Sequence, residues 1–212
     1  LGTAGSVVIV DVTDMRNPTF VARWNEWSVF GEGAPANPFV HEALPIEGTW
    51  DGKHYTFIGE ECGGRRPNTP TCLLAMLDTT DPANPTFVGG WTLPINFEWS
   101  GGLMYSLHYL ALVNRTLFAT NYHGGLWAID VSTPEAMRTM PSIGVFMPDI
   151  IPTEPVFTAA HQYNYAPVIL DANPLPDGKL VVYDGQSGLY IVEFDATNPA
   201  PPPAPWPFPF NQ

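Results

Sequence analysis

The sequence has few charged residues, few basic residues in particular, and only two cysteines. Lys and Arg number 8 against 21 Asp and Glu, which gives a formal net charge of −13. This balance argues against nucleic-acid binding, because a surface that binds phosphates has to be basic. No apolar run approaches the roughly 18 residues of a transmembrane helix, so the sequence predicts no membrane span.

Low charge together with 24 Pro and 19 Gly is typical of disordered chains, but 45% of the 212 residues are hydrophobic. That much apolar surface can offset the entropy lost on ordering, so we predict a folded region over residues 1–198. The Pro-rich tail, residues 199–212, is predicted to be an extended arm. Its Trp206, Phe208 and Phe210 are expected to dock on a neighbouring surface, and the alternative is a simple linker to a further segment.

The two cysteines, Cys62 and Cys72, flank a loop of Gly, Pro and Arg. Their spacing fits neither the common zinc motifs nor a redox pair, which favours a disulfide. Closing this loop would stabilise the fold by about 2–3 kcal/mol. A disulfide indicates an oxidising compartment, so we expect an extracytoplasmic protein, either periplasmic or extracellular.

A short apolar run that ends in an acid and a turn of Thr, Ser, Asp or Asn recurs along the sequence. The copies begin Val7-Val-Ile-Val-Asp, Leu74-Ala-Met-Leu-Asp, Leu126-Trp-Ala-Ile-Asp and Leu189-Tyr-Ile-Val-Glu. A run of about five residues is too short for a typical helix and suits a buried strand. A second short run comes after the turn in most copies, and two runs across a turn predict a hairpin.

Another hairpin precedes three of the copies. Its turns are Asp51-Gly52, Asn114-Arg115 and Asp177-Gly178, and Asp-Gly between apolar runs is a strong hairpin signal. We predict that the first strands of these hairpins begin near Val40, Leu107 and Ala160. The repeating unit therefore has four antiparallel strands, which is the blade of a β-propeller.

The predicted fold is thus all-β, with strand repeats near residues 7–24, 40–91, 107–146 and 159–194. The first range supplies two strands, the next two supply four each, and the last supplies three. Propellers typically have about four to eight blades, so we expect a partial ring or part of a larger propeller. A start at Leu1, with no Met and no signal peptide, agrees with a processed or partial sequence.

The segments Val7-Val-Ile-Val-Asp-Val-Thr-Asp and Asp78-Thr-Thr-Asp-Pro-Ala-Asn-Pro resemble the LVIVD repeat of secreted bacterial and archaeal proteins. The resemblance covers most of residues 6–199 and breaks at Thr133-Pro-Glu-Ala-Met-Arg, where the turn differs. It implies an extracytoplasmic propeller, often one part of a larger polypeptide, and no settled activity. A more distant likeness links the fold to selenium-binding proteins, some of which are metal-dependent thiol oxidases.

Three histidines occupy the same predicted place, at the start of the innermost strand: His41, His108 and His161. Such strands line the channel of a propeller, where three imidazoles would suit a transition metal ion. Three oxygen donors, Glu60, Asn121 and Asp184, share the end of the second strand. The alternative is that each histidine bonds the backbone of the neighbouring blade and is structural. His123, in the turn before the third copy, is expected at the surface.

No catalytic residue is assigned, because the sequence contains no nucleophile elbow, phosphate loop or zinc-protease motif. We expect a non-catalytic protein-interaction or structural subunit without a cofactor, whose partner is another protein or the remaining segment of the same polypeptide. One alternative is a metal-dependent enzyme with the histidine cluster at the channel. Another is a carbohydrate-binding surface. Trp27, Trp50 and Trp99 in the loops either pack into the core or form a binding surface for sugar or protein.

Overall fold

The computed structural model describes residues 2–3, 5–31, 34–35, 38–62, 73–94, 105–148 and 167–195. These residues are mostly strand, as predicted for an all-β fold. Within this part of the chain, no helix has the length and apolarity needed to cross a membrane.

The strands form four antiparallel sheets, which succeed one another along the chain and which we number I to IV. Sheet I contains β1 Gly2–Thr3, β2 Ser6–Asp11 and β3 Thr19–Trp24. Sheet II contains β4 Val40–Pro45, β5 Tyr55–Glu60, β6 Leu74–Asp78 and β7 Thr86–Trp91. Sheet III contains β8 Leu110–Val113, β9 Thr116–Thr120, β10 Leu126–Asp130 and β11 Ser142–Phe146. Sheet IV contains β12 Ile169–Pro174, β13 Leu180–Asp184 and β14 Gly188–Val192.

The two four-stranded sheets fall within the ranges 40–91 and 107–146, where the sequence predicted four strands each. In sheet IV the first strand lies later than predicted. The strand that pairs with β13 is Ile169–Pro174, whereas the sequence placed it near Ala160. Residues 160–163 lie outside the described residues. Sheet I has the two predicted strands and, in addition, the two-residue strand β1.

Three of the four repeated acids end a strand, β2, β6 or β10, with the same local turn. The Asp11, Asp78 and Asp130 carboxylates each accept a hydrogen bond from the backbone N–H two residues later, at 2.8, 3.0 and 2.8 Å. This side-chain bond competes with strand continuation and turns the chain toward the next strand. The predicted hairpin turn at Asn114 also forms, with Asn114 in the left-handed region at φ 54°.

Successive sheets pack face to face, and their contacts form three apolar clusters. We call the face of a sheet that points to the next sheet in the chain its forward face, and the opposite one its rear face. The forward face of sheet II, with Phe57, Leu74 and Met76, packs on Trp127 and Ile129 of sheet III. Equivalent clusters lie between sheets I and II and between sheets III and IV. Side chains alternate along each strand, so sheets II and III are buried on both faces.

Sheet III departs from the repeat after β10, where a short helix, α1 Pro134–Thr139, replaces the plain turn. The Thr133 hydroxyl caps it by accepting the N–H of Ala136. The end of α1 lies directly on β7 of sheet II. A Cβ atom built on Gly89 would be 2.1 Å from the Met137 carbonyl oxygen, so only glycine permits this approach.

Candidate functional site

The first strands of sheets II, III and IV lie side by side. At the start of β4 and β12, and shortly before β8, a buried apolar residue precedes a position of interest. Val40, Leu107 and Ile169 are buried, and His41, His108 and Leu170 come directly after them. His41 and Leu170 are the extra residues of β-bulges, where the pairing register shifts. His41, His108 and Leu170 are therefore equivalent positions of the three sheets.

The two histidines connect neighbouring sheets through the backbone. His41 Nδ1 lies 2.9 Å from the carbonyl oxygen of His108, and His108 Nδ1 lies 2.7 Å from that of Leu170. A carbonyl only accepts, so each Nδ1 carries the proton and donates it. In the neutral form of each ring, the lone pair is then on Nε2. Each histidine thus donates to the backbone carbonyl of the equivalent residue in the next sheet. Leu170 has no side-chain donor, so no further bond of this kind follows it.

The imidazole rings form a cluster with two tyrosines and one carboxylate, which we call the imidazole cluster: His41, His108, Tyr109, Tyr122 and Glu61. The His41 and His108 ring centroids are 4.4 Å apart and stacked. Tyr109 packs edge-on against both rings, at 5.1 and 4.5 Å, and Tyr122 lies 5.1 Å from His108. The cluster joins sheets II and III beside the start of β4 and just before β8.

Glu61 is the charged member of the imidazole cluster. The Tyr122 hydroxyl donates to Glu61 Oε1 at 2.5 Å, and Glu61 Oε2 lies 3.9 Å from His41 Nε2. The His41 and Glu61 side chains are 20% and 26% exposed, so their contact is shielded from much of the solvent. Among the described residues, no group of three or more His, Cys, Asp or Glu side chains has the arrangement of a metal site.

Several predicted site residues fall outside the described part of the chain: His161, Cys72, Trp206, Phe208 and Phe210. The sequence placed His161 at the position equivalent to His41 and His108, but in sheet IV that position is Leu170, so this equivalence is wrong. The disulfide, the docking of the tail and any part of His161 in a metal site stay predictions. Cys62 itself is buried in the core between sheets II and III, 9% exposed.

The three predicted oxygen donors occupy equivalent places at the end of the second strand or just beyond it, and all are buried. Glu60, Asn121 and Asp184 are 0%, 0% and 1% exposed. Each holds nearby backbone: Glu60 Oε2 accepts the N–H of Leu73, and the Asn121 amide donates to the Ala119 carbonyl.

Asp184 Oδ1 likewise accepts the N–H groups of Val168 and Gln186, at 2.7 and 3.0 Å. Glu60, Asn121 and Asp184 thus each form hydrogen bonds to backbone groups, at equivalent positions of sheets II, III and IV. Their role as metal ligands stays a prediction.

The burial of one predicted surface histidine and of two loop tryptophans bears on the sequence-based expectations. His123, expected at the surface, is instead buried at 3% exposure. A Cβ atom built on its neighbour Gly124 would lie 3.3 Å from the Leu93 side chain, so this turn packs against the core. Trp27 and Trp50, two of the three loop tryptophans, are buried at 1% and 9% exposure. The Arg115 guanidinium covers the Trp50 ring at 4.1 Å from the ring centroid. Trp99 lies outside the described residues.

Sequence reasoning missed Glu42, which projects from the first strand of sheet II. Its Oε2 accepts the N–H of Leu110 in sheet III at 2.5 Å. Burial raises the pKa of Glu42 to about 7, the hydrogen bond from Leu110 opposes this, and the charge of Asp171 adds to it. The detectable signal was an acid inside the otherwise apolar run of a strand predicted to line the channel.

Glu42 borders a cleft of about 530 Å³ along the first strands of sheets II, III and IV. Asp171 is the equivalent of Glu42 in sheet IV, since each pairs with the residue before the buried acid at the end of the second strand. Asp171 bonds only its own strand, through Ala172 N–H and the Asn173 amide. The carboxylate that joins sheets II and III thus has a local role in sheet IV.

Comparisons with known proteins do not place the chain. Neither a scan against protein-family models nor a search of curated proteins finds a match.

Proposed function

We propose that this chain is a non-catalytic structural or protein-interaction subunit, built as a β-propeller segment of the LVIVD type and working outside the cytoplasm. The observation that carries the proposal is the forward face of sheet IV. Tyr183, Leu189 and Ile191 are 40%, 70% and 62% exposed on this face. In sheets II and III the equivalent residues are covered by the next sheet.

The residues exposed on sheet IV have buried equivalents at the same strand positions of sheets II and III. Leu74 and Leu126 are the equivalents of Leu189, and they are 0% and 2% exposed. Met76 and Ala128 are the equivalents of Ile191, and they are 0% and 3% exposed. A side chain of this kind contributes about 1.5–3 kcal/mol when it leaves water, so the open face favours association.

The opposite end of the array is also open. Sheet I turns Val8, Val10 and Phe20 to its rear face, and Phe20 is 65% exposed. Among the described residues, no sheet packs on this face or on the forward face of sheet IV. Contiguous apolar patches of this sort are rare on monomeric proteins and mark interaction surfaces.

The test compares the purified chain with variants that place a charge on an end face. We expect the chain to bind a hydrophobic dye and to self-associate as concentration rises, measured by fluorescence and sedimentation equilibrium. Ile191→Lys and Phe20→Lys should each reduce both signals. Met15→Lys is the matched control, because Met15 is 86% exposed in the turn between β2 and β3 and is not a strand residue of either end face. A strictly monomeric chain that binds no dye would contradict the proposal.

A metal-dependent enzyme is the second candidate, and one observation favours it. Both imidazoles give their Nδ1 proton to a backbone carbonyl, which is how many metal-binding histidines fix Nε2 for the ion. Glu61 lies beside Nε2 of His41. The imidazole cluster therefore contains groups that zinc, copper, iron or nickel accept as ligands.

Elemental analysis of purified protein after dialysis separates the two candidates. Stoichiometric transition metal that disappears in His108→Ala would favour the enzyme. Metal content below one tenth of an equivalent, or content equal in the chain and the variant, would favour the structural subunit.

A further inference from the structure

We infer that residues 201–206 bind the open edge of β14 as the fourth strand of sheet IV, and that Trp206 closes this strand. These residues lie outside the described part of the chain, and the docking site is formed entirely by described residues. The inference is independent of the proposed function, because pairing along an edge within one chain does not require a partner on the forward face.

The first support is a spacing that the repeats of this chain share. Trp24 and Trp91 each lie thirteen residues after the acids Asp11 and Asp78, and Trp206 lies thirteen residues after Glu193. Asp11 and Asp78 are the last residues of β2 and β6, and Glu193 comes directly after β14, the equivalent strand of sheet IV. Trp206 is therefore the sequence equivalent of Trp24 and Trp91.

The second support is what these two tryptophans do. Each is the last residue of an edge strand, β3 or β7, and pairs with the residue four positions before the acid: Trp24 with Val7, and Trp91 with Leu74. Trp24 and Trp91 are 2% and 5% exposed. The residue that awaits the same partner in sheet IV is Leu189, at 70% exposure.

The third support is a gap beside β14. A cavity of about 270 Å³ opens between sheets III and IV, lined by Ala128, Gly144 and Phe146 on one side and by Val192 and Phe194 on the other. Its walls are mainly apolar. It lies next to β11, the fourth strand of sheet III, where a fourth strand of sheet IV would run. Within the described residues, β14 pairs on one edge only, with β13.

Chain length and composition fit this place. Seven residues separate Asp11 from Thr19 and Asp78 from Thr86, the starts of β3 and β7, and seven separate Glu193 from Pro201. Proline is tolerated in a sheet only at an edge, and the fourth strand is the edge. Ala204 and Trp206 retain N–H groups. Residues two apart point these groups to the same side, so both can face β14.

Amide hydrogen exchange on the full-length chain tests the inference. The outward backbone N–H groups of β14 should be protected in the wild type, and the protection should not change with protein concentration. Trp206→Ser should accelerate exchange of the β14 peptide by about tenfold or more, while Trp206→Phe keeps most of the protection. Phe210→Ser is the matched control and should leave β14 unchanged.

Exchange in β10 of sheet III reports whether a variant is folded, so a general loss of structure is recognised. Unprotected β14 in a folded wild type would overturn the inference, and so would equal effects of Trp206→Ser and Phe210→Ser. Protection that grows with concentration would overturn it too, because a second copy would then occupy the edge. None of these results decides whether the forward face binds a partner, which the dye and sedimentation measurements report separately.

Discussion

The interface between sheets II and III and the open forward face of sheet IV are built from equivalent positions. On sheet II these positions meet the Trp127 and Ile129 side chains and disappear from solvent. On sheet IV they meet no described sheet. The same repeat therefore gives a core where another sheet packs on it and a surface where none does.

The first strands show the same contrast in their polar groups. In sheet II, His41 and Glu42 both bond the backbone of sheet III. In sheet IV, the equivalents are Leu170, which cannot donate, and Asp171, which bonds its own strand. Sheets II and III are thus joined by side-chain-to-backbone hydrogen bonds as well as by apolar packing. Sheet IV contributes only an acceptor, the Leu170 carbonyl oxygen, to a bond of this kind.

The largest expected difference comes from truncating the same position in the two sheets. Met76→Ala should lower the free energy of unfolding by about 3 kcal/mol, because it leaves a cavity in a closed core. Ile191→Ala, at the equivalent exposed position, should change it by no more than about 0.5 kcal/mol. Urea unfolding followed by circular dichroism measures both. A large loss for Ile191→Ala in monomeric protein would mean that the forward face of sheet IV is already covered.

The contact between α1 and β7 provides a second comparison between a covered sheet and sheet IV. Gly89→Ala should cost about 2–3 kcal/mol, since the new methyl group meets the Met137 carbonyl oxygen rather than a movable side chain. Gly185→Ala in sheet IV is the matched control. Its methyl group would meet the end of the Leu170 side chain at 3.2 Å and Val168 at ordinary contact distances of 3.7 and 3.8 Å, and should be tolerated. Thermal unfolding distinguishes them, and equal midpoints would show that the contact between α1 and β7 is loose.

The fold was predictable where the repeat is strong. The apolar run, the acid and the turn are local signals, and they located β2, β6, β10 and β14 because backbone hydrogen bonding and alternation act over a few residues. The first strand of sheet IV was misplaced. Asn173 and Pro174 are poor strand residues, and only pairing with β13 makes Ile169–Pro174 a strand.

The candidate site was predictable in part. The equivalence of His41 and His108 can be read from their place in the repeat, and so can that of Glu60, Asn121 and Asp184. The acceptor of each histidine was not predictable, because it belongs to the next sheet. Glu42 was missed for a similar reason, since its high pKa depends on burial by residues far away in sequence.

The pH dependence of stability probes the bond from Glu42 to sheet III. Burial raises the pKa of Glu42 from 4.5 to about 7, so between these values the folded state holds a proton that the unfolded state releases. Stability from this group is complete below pH 4.5 and is lost as pH rises toward 7. Partial exposure limits the change to about 1–2 kcal/mol. Glu42→Gln should abolish the decline, whereas Glu47→Gln, on the exposed rim of the same cleft, should retain it.

The smallest expected effect concerns the repeated turn acids of a covered sheet and an end sheet. Burial alone would raise the pKa of Asp78, but hydrogen bonds from Lys53 and Thr80 outweigh it and lower the pKa to about 2. Hydrogen bonds from Thr13 also lower the pKa of Asp11, which lies fully in solvent. Stability from Asp78 is therefore present above pH 4 and lost as pH falls toward 2.

Asp78→Asn should reduce the free energy of unfolding by about 0.5–1 kcal/mol at neutral pH, because Lys53 is largely exposed and solvent screens the ion pair. Asp11→Asn should have a smaller effect, since Asp11 keeps only the local turn contacts to Thr13. Unfolding measured from pH 7 to pH 2 should bring the wild type and Asp78→Asn together at the acid end. If Asp11→Asn were the more damaging change, the turn itself, rather than the pairing with Lys53, would supply the stability at this position of the repeat.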